Sequence, residues 1–398
     1  MKMPRIAWIL IAGLLLVRMA IFMSYPFLAL HLEKMHFDAM DIGIILGCPY
    51  FFAGLSGIFG GNIADQIGKQ RTMVITLIMA ALAFWGLGQV ESFTGFLLCN
   101  LVLATATATF EPAASTLITE SVSEDLQALV LRYRYMAINI GASIGPIIGT
   151  LLALYGTHFA FFITGTLLAS YSLFFLFFRK SNQTVSAQAP YSLDNFKSAV
   201  KHMAGHKSFL LLLVANFFIH MTYCQIFSTL PQILNSKIED SFHLYSILIT
   251  TNPITVVIVG LFFSHYLSKQ DSRRLFSIGC LLLAVTFLGF QFSPVTYFNF
   301  ISLMILFTLA EMILIPTSAK FLIDLAPKEH RGTYLGSESC FYLGSFMGNL
   351  IGGFLLQTVG GVFLFCSLCS VVGFFLYRLA CQKTEIPQPA EVVKNASM

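Results

Sequence analysis

Long apolar runs broken by short polar joints organise the whole chain. Twelve of them can be marked, at about 6–30, 42–62, 72–90, 94–118, 130–154, 159–178, 208–232, 244–264, 275–293, 297–320, 335–357 and 360–380. Each approximates the ~20 residues that a helix needs to cross a hydrocarbon core about 30 Å thick. Several are separated by only three to six residues, so neighbouring spans form antiparallel hairpins. Transmembrane β-strands would instead read as short segments with alternate residues polar. The pattern predicts an all-α polytopic membrane protein with 12 transmembrane helices in two six-helix bundles. Residues 1–178 form the first bundle, 179–207 a polar linker, and 208–398 the second bundle with a short tail. Within the linker, residues Asp194 to Met203 suit a short surface helix.

Composition agrees with this reading. Of 398 residues, 57% are hydrophobic and 11% charged, against about 25% charged in an average soluble domain. The longest polar stretch, under 30 residues, leaves no room for a soluble catalytic domain. A net charge of +4 is too small to suggest a nucleic-acid partner. The basic residues are unevenly placed. If the N-terminus is cytoplasmic, 20 of the 23 Lys and Arg fall in cytoplasmic segments or adjoining helix ends, Lys34 and Lys237 lie opposite, and Arg18 lies within a span. The positive-inside rule then puts both termini in the cytoplasm of a plasma membrane, a bacterial inner membrane being the expected setting. The first span is longer than the apolar region of a signal peptide and is expected to remain as a helix. Eight scattered cysteines read as small packing residues, without a metal cluster.

The two halves echo one another. Shifted by 202–204 residues, Pro112 to Glu120 falls on Pro316 to Asp324, and Gly141, Gly145 and Gly149 fall on Gly344, Gly348 and Gly352. Arg18-Met19 falls on His220-Met221 in the same way. A six-plus-six duplication of this kind builds a site at the bilayer midplane between the halves and works by alternating access.

Two motifs follow from close inspection. At the end of the second span, Gly61, Asp65, Gly68, Lys69 and Arg71 form a glycine-punctuated acidic and basic turn. In the fifth, Gly141, Gly145 and Gly149 recur every fourth residue and clear one helix face, while Pro146 introduces a bend. The first motif resembles the signature loop between helices 2 and 3 of the major facilitator superfamily, with Gln66 where that family usually has a base. The second resembles the helix-5 motif of its drug:proton antiporters. The resemblance implies the major facilitator fold, a central cavity lined by helices 1, 4, 7 and 10, and an aspartate facing the start of helix 11 to hold one access state. It also implies export by proton antiport. The arginine that many such antiporters carry in helix 4 is absent, and Glu111 is the ionisable residue there.

Ionisable side chains at membrane depth cost about 2.5–3.5 kcal/mol to insert and mark function. Four lie well inside the spans, Arg18, Glu111, His220 and Glu311, one in each of helices 1, 4, 7 and 10. Glu311 at mid-span is the leading candidate for proton coupling, with Glu111 as a relay or gate. Its surroundings, Ala310 to Pro316, resemble part of helix 10 in multidrug exporters. Arg18 can hold an anionic substrate or act as counter-ion to Glu111 or Glu311, and cannot itself carry the proton. His220, Tyr223 and Gln225 are candidates for substrate contact in the cavity. Asn139, Arg134 and Glu338, nearer the helix ends, are candidate gate residues.

The expected function is secondary transport, a proton-coupled exporter of small amphipathic molecules working as a monomer without cofactor. The alternative within the class is a dedicated exporter of a small polar metabolite or siderophore. The partners expected are protons, a small-molecule substrate and the lipid bilayer. An enzyme would need clustered catalytic groups such as HExxH or a GxSxG turn between strand and helix, and an ATP-driven pump a Walker loop; the sequence contains no HExxH or Walker loop, and its one GxSxG spacing, Gly141 to Gly145, falls inside an apolar span.

Overall fold

The computed structural model describes residues 3–177, 201–268, 270–327 and 341–382. Among these the chain passes back and forth as twelve helices. The first half holds α1 (Arg5–Lys34), α2 (Ala39–Ile67), α3 (Lys69–Leu87), α4 (Phe93–Glu120), α5 (Glu124–Ala153) and α6 (Thr157–Phe177). The second holds α7 (Lys207–Lys237), α8 (Ser241–Ser268), α9 (Ser272–Phe292), α10 (Tyr297–Leu325), α11 (Phe341–Thr358) and α12 (Val362–Gln382). Ten of these helices are long and apolar enough to cross a membrane, and the apolar Ala39–Gly54 lies in α2. Helices satisfy their own backbone hydrogen bonds, which is what lipid demands of a spanning segment.

Each half has its own core, one built on Leu10, Leu14, Phe84 and Phe96, the other on Phe276, Phe287, Phe300 and Tyr377. Packing repeats with a six-helix shift. α1 packs on α5 and α7 on α11, while α2 packs on α4 and α8 on α10. Interior prolines follow the same rule, Pro49 matching Pro253 and Pro112 matching Pro316.

The glycine motif explains the α1–α5 contact. A Cβ at Gly141 would fall 2.4 Å from the Leu15 carbonyl oxygen, one at Gly145 2.6 Å from that of Met19, and one at Gly149 2.0 Å from that of Met23. No larger residue fits without pushing the backbones apart. In the second half Gly344 and Gly348 meet the carbonyls of Phe217 and Met221 just as closely.

The halves touch through α2 against α11 and α5 against α8. The contacts lie on the face opposite the start of α1 and the end of α12. Ser246 donates to the Pro146 carbonyl at 3.1 Å, Gln357 donates to Asp38 at 3.1 Å, and the Phe27 and Phe242 rings stack at 4.5 Å. Phe27 and Leu30 of the first half are built into the core of the second.

Several elements depart from the apolar pattern. Both first helices of the halves break in mid-course, at Tyr25–Phe27 and Cys224–Ile226, into single 3-10 turns. α2 extends to Ile67, so Asp65 is helical and the signature loop shrinks to Gly68, whose φ of 96° suits glycine. α5 begins at Glu124, two turns before the apolar run. Most of the expected Asp194–Met203 surface helix lies outside the described residues.

Candidate functional site

Between the halves lies a cavity of about 850 Å³, on the side of the inter-half contacts that bears the start of α1 and the end of α12. Its walls come chiefly from α1, α4 and α7, with three residues each from α2 and α10, Phe341 and Tyr342 from α11, and Arg134 from α5. On α4 the exposed stripe runs Ala104, Thr107, Ala108, Glu111 and Ser115, the i, i+4 spacing that one helix face presents. Aromatic rings, including Phe22, Tyr25 and Phe227, supply much of the remaining surface.

Two polar clusters stand in this setting. In the first half, Glu111 lies between two arginines. Arg18 Nη2 donates to Glu111 Oε1, and Arg134 Nη2 donates to Glu111 Oε2 at 2.6 Å. All three side chains are about a fifth to a third exposed, so they open onto the cavity. Two guanidinium groups against one carboxylate leave the cluster with a net positive charge. The Nε of Arg134 is buried and has no hydrogen-bond partner among the described residues. Arg134 therefore lines the cavity instead of sitting at the helix end, because α5 starts early enough to place it nearly three turns inside.

The second cluster centres on Glu311. The Tyr223 hydroxyl donates to Glu311 Oε1 at 2.9 Å, and Asn252 Nδ2 donates to Oε2 at 2.7 Å. Asn252 also donates to Thr308 at 3.0 Å. Glu311 does not line the cavity; Tyr223 does, and its hydroxyl connects the two. Sequence reasoning missed Asn252, whose signal was a polar residue beside Pro253 in an apolar span. The structure pairs Arg18 with Glu111, while Glu311 belongs to the separate set in the opposite half.

The remaining candidates divide. His220 lines the cavity and stacks on Phe341 at 5.2 Å between ring centres. Gln225 does not reach it. Set in the 3-10 turn of α7, Gln225 is fully buried and donates to the Gly348 carbonyl at 2.6 Å, while Thr229 donates to its Oε1 at 2.9 Å. It joins α7 to α11 and does not line the cavity. Asn139 lies outside the cavity wall and donates to the Tyr135 carbonyl of its own helix at 2.9 Å. Gly141, Gly145, Pro146 and Gly149 face α1 or α8, as described above. Lys69 pairs with Glu120 at the end of α4, and Arg71 is exposed. The side chain of Asp65, the surroundings of Gly61, and Glu338 lie outside the described residues, and so does the expected contact of Asp65 with the start of α11.

The sequence profile of the Major Facilitator Superfamily matches residues 10–239 and 212–396. The chain belongs to the Major Facilitator Superfamily. It is 25% identical over 346 residues to the uncharacterized MFS-type transporter YqjV of Bacillus subtilis, covering 86% of this chain and 84% of that one. It is 22% identical over 370 residues to a Na(+), Li(+), K(+)/H(+) antiporter of Planococcus maritimus, covering 83% of this chain and 85% of the other. Its fold matches the crystal structure of the nucleoside transporter NupG with a TM-score of 0.75 at 18% identity, over 96% of this chain and all of that one. This superfamily member is thus a multi-pass membrane transporter and not an enzyme.

Proposed function

We propose that the chain is a proton-coupled exporter of small amphipathic molecules, held in a bacterial inner membrane with both termini cytoplasmic. The observation that carries this reading is the cavity itself. It has the volume of a drug-sized site, a largely aromatic and aliphatic wall, and a half-buried carboxylate, Glu311, reached from it through Tyr223. With the termini inside, the cavity faces the cytoplasm and the contacts around Gly43, Ser246 and Phe27 close the outer side. The antiporter name of the Planococcus relative supports ion-coupled exchange, and the glycine face of α5 supports export.

Glu311 is the coupling residue in this scheme. Its two hydrogen bonds come from groups on α7 and α8, so a shift of either helix against α10 within the second half changes how well its charge is compensated. Purified protein in vesicles with an imposed pH gradient tests this. Proton-driven flux is expected in the native chain and loss of its coupling in Glu311→Gln; full coupled antiport in that variant would remove Glu311 from the mechanism.

A second reading is supported by the arginines on the wall. A dedicated exporter of an acidic metabolite or siderophore would use Arg18 and Arg134 directly. Metabolite profiling of a deletion strain separates the two: accumulation of one acidic compound favours the dedicated exporter, and broad drug hypersensitivity favours the first reading.

A further inference from the structure

The geometry points to an anion seat on the cavity wall, formed by Arg18 and Arg134 and occupied in this state by the chain's own Glu111, which an amphiphilic organic carboxylate displaces on binding. This deepens the transporter reading and rests on it for the cavity's role. Apart from tyrosines, the ionisable residues lining the cavity among the described residues are Arg18, Glu111, Arg134 and His220. Each arginine gives Glu111 a single nitrogen, whereas a guanidinium offers five donors in a fork that matches a carboxylate. Arg134 Nε remains buried and unpaired among the described residues, a donor left without an acceptor. Glu111 bridges the two arginines through one oxygen each, so an incoming carboxylate can replace it on both.

The rest of the wall fits the body of such a ligand. Phe22, Tyr25, Tyr50, Phe227 and Tyr342 face the same space. They suit an aryl or alkyl body whose charged head lies on the first half. Two guanidinium groups against one carboxylate disfavour a cationic head, so the seat selects against amines and alkali cations entering without a counter-charge.

The test uses three probes with one body and different heads: phenylbutyrate, phenylbutyramide and phenylbutylamine, titrated onto the purified full chain in lipid nanodiscs. The carboxylate is expected to bind about tenfold tighter than the amide, the difference a charge-assisted hydrogen bond makes, with the amine weakest. Arg134→Gln is expected to erase the gap between carboxylate and amide, and Arg134→Lys to retain part of it. Glu111→Gln removes the internal competitor and is expected to tighten carboxylate binding severalfold while leaving the amide unchanged. Equal binding of amine and carboxylate, or a gap that survives both Arg18→Gln and Arg134→Gln, would overturn the proposal. Should the arginine variants fail to fold, Glu111→Gln decides alone, since unchanged carboxylate affinity there refutes displacement. Flux in vesicles keeps the two readings apart. Head-group preference without proton-driven flux supports the seat and sinks the exporter; proton-driven flux of phenylbutylamine without that preference does the opposite.

Discussion

Replacing Gly43 by alanine is expected to drive the protein out of the state seen here. Gly43 lies on α2 where it meets α11 across the interface between the halves. A Cβ there would fall 2.6 Å from the Asn349 carbonyl oxygen and 3.3 Å from the Gly353 Cα, against an ordinary contact of 3.4 Å or more. The shortfall of about 0.8 Å to the carbonyl is set by backbone rather than by a flexible side-chain tip, so the helices have to separate. Overpacking of this kind costs about 1–3 kcal/mol. The cost falls on the state in which these faces touch, and it converts to roughly a 5–150-fold change in the ratio of the two access states. The readout is a cysteine placed at Ser115 on the cavity wall, labelled by a membrane-impermeant maleimide from the face that bears the start of α1 and the end of α12 and measured above the native cysteine background. Labelling is expected to fall in Gly43→Ala and to stay unchanged in Gly205→Ala, where a Cβ meets nothing within 4 Å. Undiminished labelling of a well-folded Gly43→Ala protein would refute the claim that this contact holds the state.

Other outcomes follow from the same geometry. Ser246→Ala removes the bond to the Pro146 carbonyl and is expected to shift Ser115→Cys labelling in the same direction as Gly43→Ala, by about 1 kcal/mol. Gln225→Leu leaves the Gly348 carbonyl without that donor and is expected to lower thermal stability in detergent by ~1–3 kcal/mol while leaving the transport KM unchanged. Asp240, in the α7–α8 loop, accepts from the Tyr297 hydroxyl, which holds its carboxyl below the usual carboxylate range. Stability from a depressed carboxylate is present above its unfolded pKa and lost as pH falls through the folded value. The melting difference between native protein and Asp240→Asn is therefore expected at neutral pH and to vanish below the ordinary carboxylate range; a difference that persists there would contradict the assignment.

How much of this was legible in the sequence depended on whether a feature is one-dimensional. Apolar length marks a membrane crossing, and the offset repeat of Gly141, Gly145 and Gly149 on Gly344, Gly348 and Gly352 marked α5 and α11 as helices with a face cleared for close contact, which the structure fills with α1 and α7. The concentration of Arg18, Glu111 and His220 on three helices of the wall was also visible. Direction around a helix and true helix ends were not. Arg134 looked peripheral because the apolar run starts near 130, although polar turns carry α5 back to Glu124. Gln225 looked like a neighbour of Tyr223 on one wall, but the 3-10 turn that swings it toward α11 has no proline to announce it. The partnership of Asn252 with Glu311 joins residues 59 apart on α8 and α10, a contact that only packing of the second half creates.

The glycine column between α1 and α5 reaches beyond packing. Arg18 and Arg134 ride on helices joined carbonyl to Cα along three successive contacts, so rocking of one half against the other cannot draw them apart. In the proposed cycle the charged berth therefore travels as a single piece, intact at either mouth. The wall that moves past it in that cycle is the opposite one, which carries Tyr223, His220 and Phe341.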